Sequence, residues 1–139
     1  MDGSQRVCFD DNFEVISIDS EKFDKVSRIK AKAQTFQADI EVDFNTDIYP
    51  VKVRDTLSIA LATTGEEAAW DATGRVSSLV DSYEYVMFGK VFKIVPNGSS
   101  RVSVYASFGG LLMGLEGERS DLEGLHLDDR VYLLVKKID

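Results

Sequence analysis

The sequence predicts an all-β protein, an antiparallel barrel or sandwich of about eight strands with one long loop. Three observations carry this. Apolar and polar residues alternate with period two through most of the chain. Almost no stretch shows the helical period. Glycines fall inside the strand pattern, at Gly89 and Gly109-Gly110, where bulges or tight bends belong. Such bends favour a barrel, and closing the sheet also removes exposed edges.

The elements follow in order. Phe13–Asp19 is the first predicted strand and Val26–Ala33 the second, with Ser20–Lys25 turning between them. Ala38–Asn45 alternates most cleanly: Ile40, Val42 and Phe44 face one way, and Asp39, Glu41 and Asp43 face a wet surface. Pro50 cannot donate to a ladder, so Ile48–Val51 reads as a loop or an edge. Thr56–Ala62 resumes as a strand. Residues 63–80 lose the alternation and turn rich in Gly, Ala, Thr and acids, which reads as a long excursion with a helical turn at Glu66–Ala69. Trp70 within it either packs back onto the barrel, as large aromatics usually do, or offers an exposed ring. Tyr83–Gly89 and Val91–Val95 read as one strand interrupted at Gly89. Asn97-Gly98 signals a hairpin into Arg101–Phe108. Leu111–Glu116, a short helical turn at Asp121–Leu125 and a closing strand at Arg130–Lys137 complete the series.

With 139 residues and a hydrophobic fraction of 44%, the chain reads as a single domain, 1–139, large enough to bury a core without a disulfide or metal staple. It holds one cysteine, Cys8, and one histidine, His126, so an internal disulfide is impossible and a reducing compartment fits. The start, Met1–Arg6, is not a secretory signal, and the apolar runs Leu57–Ala62 and Val131–Val135 are strand-sized, so the expectation is a soluble protein without a membrane partner. The net charge of −8 repels phosphate backbones unless cations cluster. The densest cationic stretch, Lys22–Lys32, alternates with apolar and acidic residues and reads as the solvated face of a strand. An acidic protein of this kind more naturally meets a basic protein surface.

Constellations for chemistry are sparse. His126 beside Asp128 and Asp129 is the one acid–base candidate, and no nucleophile motif accompanies it, which favours a surface turn. Cys8 and His126 alone cannot hold zinc, and Asp10-Asp11 and Glu66-Glu67 lack the spacing of a calcium loop, so neither metal nor cofactor is expected. The glycines at 109–117 lack the helix that a phosphate loop requires. Tyr83, Tyr85, Phe88 and Phe92 crowd one segment. They fill the core or a protein interface, or they stack bases, although only Lys90 and Lys93 accompany them.

Two strings carry a family resemblance: Tyr83–Gly89, and Tyr105-Ala106-Ser107-Phe108-Gly109-Gly110-Leu111-Leu112-Met113-Gly114-Leu115-Glu116-Gly117. They resemble the signature segments of the small common subunit of the eukaryotic nuclear RNA polymerases I, II and III. Phe9–Val15, Phe23–Ile29, Asn45–Ile59 and Arg130–Lys137 extend the likeness, in order, along nearly the whole chain. The resemblance implies a Greek-key barrel of oligonucleotide-binding (OB) type built from two four-stranded halves. It also implies a non-catalytic nuclear subunit, nucleolar for the polymerase I pool, that docks on the largest polymerase subunit and supports assembly. Docking in that family uses the segment matched here by Gly109, Gly110, Leu111, Leu112 and Met113. Alternation places Leu112 opposite Leu111 and Met113, so either a partner covers it or the strand is buried on both faces. Gly110→Arg is then expected to leave the barrel folded and to weaken docking. The family often has a basic residue where this chain has Gly114; the tail runs on to Asp139, and 63–80 is the least similar stretch. A free-standing single-strand-binding barrel is the rival reading.

Overall fold

The computed structural model describes residues 5–23, 25–64 and 81–138. Among these residues eight strands form: β1 (Gln5–Phe23), β2 (Val26–Ala33), β3 (Asp39–Asn45), β4 (Thr56–Thr64), β5 (Tyr85–Asn97), β6 (Arg101–Phe108), β7 (Leu111–Glu118) and β8 (Arg130–Ile138). They close into a barrel in the order β1-β2-β3-β7-β6-β5-β8-β4, and every neighbouring pair is antiparallel. Inward residues are apolar at nearly every strand position, and Tyr49, Val51, Leu122 and Leu125 from the connections join the same core.

The ring is two Greek keys. β4-β1-β2-β3 is the four-strand order of that motif, and β8-β5-β6-β7 repeats it. The halves meet at two joins, β3·β7 and β4·β8. The repetition extends to single residues. β1 leaves β4 for β2 near Phe13, and β5 leaves β8 for β6 at Lys90. Just after each switch a bulge inserts one extra residue: Ile16 between Val15↔Ala31 and Ser17↔Lys30, and Phe92 between Val91↔Ala106 and Lys93↔Tyr105. From there Lys30 pairs with Glu41 and Tyr105 with Gly114, while Glu41 and Gly114 pair with each other across β3·β7. A pseudo-twofold axis therefore leaves the barrel at Glu41·Gly114. By the same register it leaves the opposite wall at Ala60·Leu134.

Several sequence expectations change. β1 runs well beyond Phe13–Asp19 in both directions, and Phe23 pairs with Val26, so the turn is shorter than Ser20–Lys25. β5 is continuous through Gly89, where a Cβ would strike the Ser107 carbonyl oxygen and stand 2.7 Å from Phe108 Cδ1. The glycine thus permits the corner at which β5 changes partner. Asp121–Leu125 is a run of turns, tied by Leu122 N–H to Glu118 O and Leu125 N–H to Leu122 O. Thr63 and Thr64 belong to β4; the rest of the expected excursion, with its helical turn and Trp70, lies outside the described residues.

Candidate partner interface

β6 and β7 form a hairpin whose last pair is Phe108↔Leu111. The two residues between them, Gly109 and Gly110, have φ of +64° and +101°. A two-residue hairpin turn of the I′ kind needs positive φ at both places, which explains the Gly-Gly pair better than close backbone approach does. Nothing lies within 4 Å of where either Cβ would sit. Any side chain at Gly110 would therefore strain the turn as well as alter the surface, so Gly110→Arg confounds two effects.

The five residues of the segment divide. Gly109 and Gly110 are exposed at the tip, and Leu111 is half-buried against the core. Leu112 points outward and is 40% exposed. Met113 is 2% exposed and lies inside the barrel. The reading of this strand as buried on both faces fails at Leu112. Met113 works from within the barrel, and the other four residues supply the surface.

Around Leu112 the structure builds an outer face that alternation did not disclose. Asp43, expected on the wet face, is 2% exposed. Its carboxylate accepts Arg28 Nε–H (2.7 Å) and Nη2–H (3.1 Å), together with Leu112 N–H at 3.0 Å. A carboxylate with three donors can be buried without being orphaned. Hydrogen bonding to Asp43 holds the Arg28 guanidinium pKa above its ordinary value. The β3·β7 ladder stops at Val42↔Met113, so Asp43 replaces with its side chain the next rung. At the ladder's other end Arg101 donates to Gln37 O (3.1 Å) and reaches Glu116 (3.5 Å) and Glu118 (3.3 Å). A short join is thus clamped at both ends by charge.

A groove of about 380 Å³ lies over this join, lined by Ile16, Lys30, Glu41, Tyr105 and Gly114 among others. A smaller hollow of about 110 Å³, with Phe92 and Leu112 in its wall, shares Glu41, Tyr105 and Gly114 with it. The Tyr105 ring rests over Gly114, 3.0 Å from where a Cβ would be. Phe92, the bulge residue, is 49% exposed and packs 6.4 Å from the Tyr105 ring centroid.

The other sequence candidates fall elsewhere. The cations of β2 face acids of β3 in register: Arg28 with Asp43, Lys30 with Glu41 (3.8 Å) and Lys32 with Asp39 (3.8 Å). The aromatic cluster splits. Tyr85 stacks on Tyr49 and receives Asn45 N–H at its hydroxyl, Phe88 is exposed beside Tyr132, and Tyr83 covers Ala60 and Leu134 on the outer wall. His126 sits in an exposed turn, its Nδ1 3.4 Å from Asp129 Oδ2, while Asp128 pairs with Lys90. Cys8 is half-buried, and its thiol donates to Thr63 Oγ1. Among the described residues no cluster of three His, Cys, Asp or Glu side chains is arranged to hold a metal ion.

Comparison with known proteins points to one family. The family described as RNA polymerase Rpb8 matches residues 10–137. A protein of Dictyostelium discoideum named as a subunit of DNA-directed RNA polymerases I, II, and III, rpabc3, is 41% identical over 94% of this chain and 97% of its own length. The RPABC3 subunit of Saccharomyces cerevisiae is 34% identical over 93% of this chain and 97% of its own. An Arabidopsis thaliana protein, named subunit 8B of polymerases II, IV and V, is 35% identical over 97% and 99%. With a match that runs from within β1 to within β8, the chain belongs to the RNA polymerase Rpb8 family.

Proposed function

We propose that the chain is a non-catalytic subunit shared by the nuclear RNA polymerases I, II and III, docking on the largest subunit and supporting assembly and transcription. The observation that carries this reading is the full-length similarity to relatives named as subunits of those enzymes. Its place of work is then the nucleus, with the polymerase I pool in the nucleolus. The outward face of the β6–β7 hairpin is the proposed contact: Gly109 and Gly110 shape it, Leu111 and Leu112 offer apolar surface, and Met113 fixes the strand from inside.

Charge supports a protein partner over a free single-strand-binding role. The chain carries −8, and the cations of β2 are already matched by acids of β3. Nucleic-acid affinity needs uncompensated cations.

The test is affinity purification of the tagged chain from its own cell extract, with co-purifying chains identified by mass spectrometry. Recovery of the largest subunits of several polymerases in near-equal stoichiometry is the expected result; recovery of none would defeat the proposal. Leu112→Ser maps the contact more cleanly than a glycine substitution. It should cost about 1–2 kcal/mol of stability, because the side chain is only partly exposed, and leave the barrel folded. Its recovery with polymerase should fall about tenfold, the effect of losing an apolar contact inside a specific interface.

A further inference from the structure

The pseudo-twofold axis sets each outward pair of the first half beside one of the second. Asn12↔Ser58 on β1·β4 corresponds to Phe88↔Tyr132 on β5·β8. Lys30↔Glu41 corresponds to Tyr105↔Gly114, and Lys32↔Asp39 to Ser107↔Leu112. At these places the first half carries an amide, a hydroxyl and two ion pairs, and the second carries three rings and a leucine. We propose that the outer face of the second half, from Tyr132 and Phe88 past the β6–β7 tip to Phe92, Tyr105 and Leu112, is a docking surface. Its occupant is an apolar surface of the same polymerase subunit that the hairpin meets. This extends the proposed contact from the hairpin to β5 and β8, and it rests on the subunit reading.

Three observations support this. First, folding does not call for the rings. The first half builds the same corner, the same bulge and the same ladders with polar side chains at the equivalent outer places. Second, the apolar residues are accessible and grouped. Phe88 is 45% exposed, Phe92 49% and Leu112 40%. The Phe88 ring centroid lies 4.8 Å from that of Tyr132, and Phe92, Tyr105 and Leu112 line one hollow. Single exposed apolar side chains are ordinary on a surface, but a group of them marks a site of contact. Third, the group brackets the proposed docking segment. Leu112 belongs to both. Gly89 lies against Ser107 and Phe108, and the antiparallel register carries Phe88, one residue back along β5, toward the Gly109-Gly110 tip.

Charge selects the occupant. Bases could stack on the same rings, but strand binding also needs cations for the phosphates. Of the two β5 lysines, Lys90 faces Asp128 at 3.7 Å and Lys93 stands over the Tyr105 ring. A second copy of the chain would set −8 against −8, and like net charge holds molecules apart. A polymerase subunit meets neither objection. Aromatic side chains are enriched in the cores of protein interfaces, where a few of them carry most of the binding.

The experiment uses the tagged full-length chain expressed in its own cells. Photoreactive benzoylphenylalanine replaces Phe88, Leu112 or Val53 in turn; Val53 is 50% exposed and lies in the first half. Polymerase is purified, irradiated and mapped by mass spectrometry. In parallel, tagged Phe88→Asn and Val53→Ser each compete with untagged wild-type chain for incorporation. The proposal expects positions 88 and 112 to cross-link to one polymerase subunit, at apolar segments, and position 53 not to. It expects Phe88→Asn occupancy to fall about tenfold, as loss of an aromatic anchor does. Val53→Ser should compete like wild type, and isolated Phe88→Asn should keep the wild-type melting temperature. A cross-link from position 88 to nucleic acid, or to a second copy of the chain, would overturn the assigned occupant. Lost occupancy with a lowered melting temperature and no cross-link from position 88 would assign the ring to the barrel and overturn the surface. Full occupancy of Phe88→Asn without that cross-link, in polymerase that still holds the chain, would overturn the surface while the subunit reading stood. Purification without any polymerase subunit would overturn both.

Discussion

At the corner of the first Greek key, Phe13 fills the core opposite Ala33; at the corresponding corner of the second, Gly89 lies beside Phe108. Large and small residues have exchanged sides, so each corner still receives one phenyl ring. Next to these corners the interior is matched in kind. Val15 and Val91 occupy equivalent places, as do Ala31 and Ala106, and all four are buried. The outer belt is not matched. In the first half it reads Ile16, Lys30, Glu41, a bulged apolar residue followed by an ion pair. In the second it reads Phe92, Tyr105, Gly114, a bulged ring followed by a ring over a glycine. The comparison teaches that packing constrained both halves alike. The outer surface was free to diverge, and the divergence concentrates at the β3·β7 join where the groove lies.

The hardest way to break that symmetry is at the corner itself. Gly89→Val would drive its side chain into the Ser107 backbone oxygen, which cannot rotate away. The loss should be at least about 3 kcal/mol, at or beyond the upper range of overpacking, and urea denaturation would register it. Phe108→Ala should not rescue the variant, because the worst contact is with backbone. Phe13→Ala, at the equivalent place, should cost about 3–5 kcal/mol for the opposite reason, a cavity. Equal and small losses at both sites would mean that the two corners do not share the packing described.

The second prediction compares two carboxylates on the outer face of β3. Asp43 is buried with three donors, whereas Asp39 faces Lys32 across 3.8 Å in the open. Asp43→Ala should cost about 2–3 kcal/mol, since it strands the Leu112 N–H and leaves Arg28 without its partner. Part of the penalty is relieved because Arg28 can turn toward water. Asp39→Ala should change stability by less than about 0.5 kcal/mol. Denaturant midpoints of the two variants check the contrast directly. Loss of amide-exchange protection at Leu112 in Asp43→Ala, but not in Asp39→Ala, would tie the cost to the end of the β3·β7 ladder.

These carboxylates also show what was legible in the sequence. Alternation placed Ile40, Val42 and Phe44 inside and Leu112 outside, because a strand's period is fixed by the backbone. It could not separate Asp43 from Asp39. Both face outward, and only the neighbour across the barrel join decides which one water reaches. In β1, Asp10-Asp11-Asn12 breaks the apolar rhythm and hides the strand's first half. In the fold, Asp11 accepts the Thr35 and Phe36 backbone N–H groups, a turn-holding task set by tertiary contact. The internal repetition was illegible for a related reason. Gly89 and Phe13 are equivalent only through register, and the volume swap with Ala33 and Phe108 erases the similarity that a repeat would show. Tyr105 and Gly114 lie on two strands, and nothing in a linear reading brings that ring over that glycine. The proposed docking segment is visible only through its family resemblance, since Gly-Gly before an apolar trio is also an ordinary hairpin.

The two long crossings that complete the keys offer the mildest test. The β7–β8 connection ties to itself and to β5 of its own half: Asp129 accepts the His126 N–H, Val91 exchanges backbone bonds with Asp128 and Asp129, and Leu122 and Leu125 turn into the core. The β3–β4 connection ties to the other half, because the Tyr49 hydroxyl donates to Glu84 Oε1 at 2.6 Å and Lys137 N–H donates to the same oxygen at 3.0 Å. Burial, then the bond to Glu84, pushes the Tyr49 phenol pKa above its ordinary value. The bond from Tyr49, then that from Lys137 N–H, holds the Glu84 carboxyl below its own. A depressed carboxyl contributes stability above its unfolded pKa of about 4.3 and loses it as pH falls through the folded value. A raised phenol contributes below its unfolded pKa of about 10 and loses it as pH rises toward the folded value. Tyr49→Phe should therefore cost about 1 kcal/mol between roughly pH 5 and 10, a modest figure because Glu84 is exposed. The difference from wild type should narrow toward pH 3 and again above pH 10. No difference at any pH would mean that the ring's stacking on Tyr85, which Phe retains in large part, and not the hydroxyl, joins this crossing to the second half.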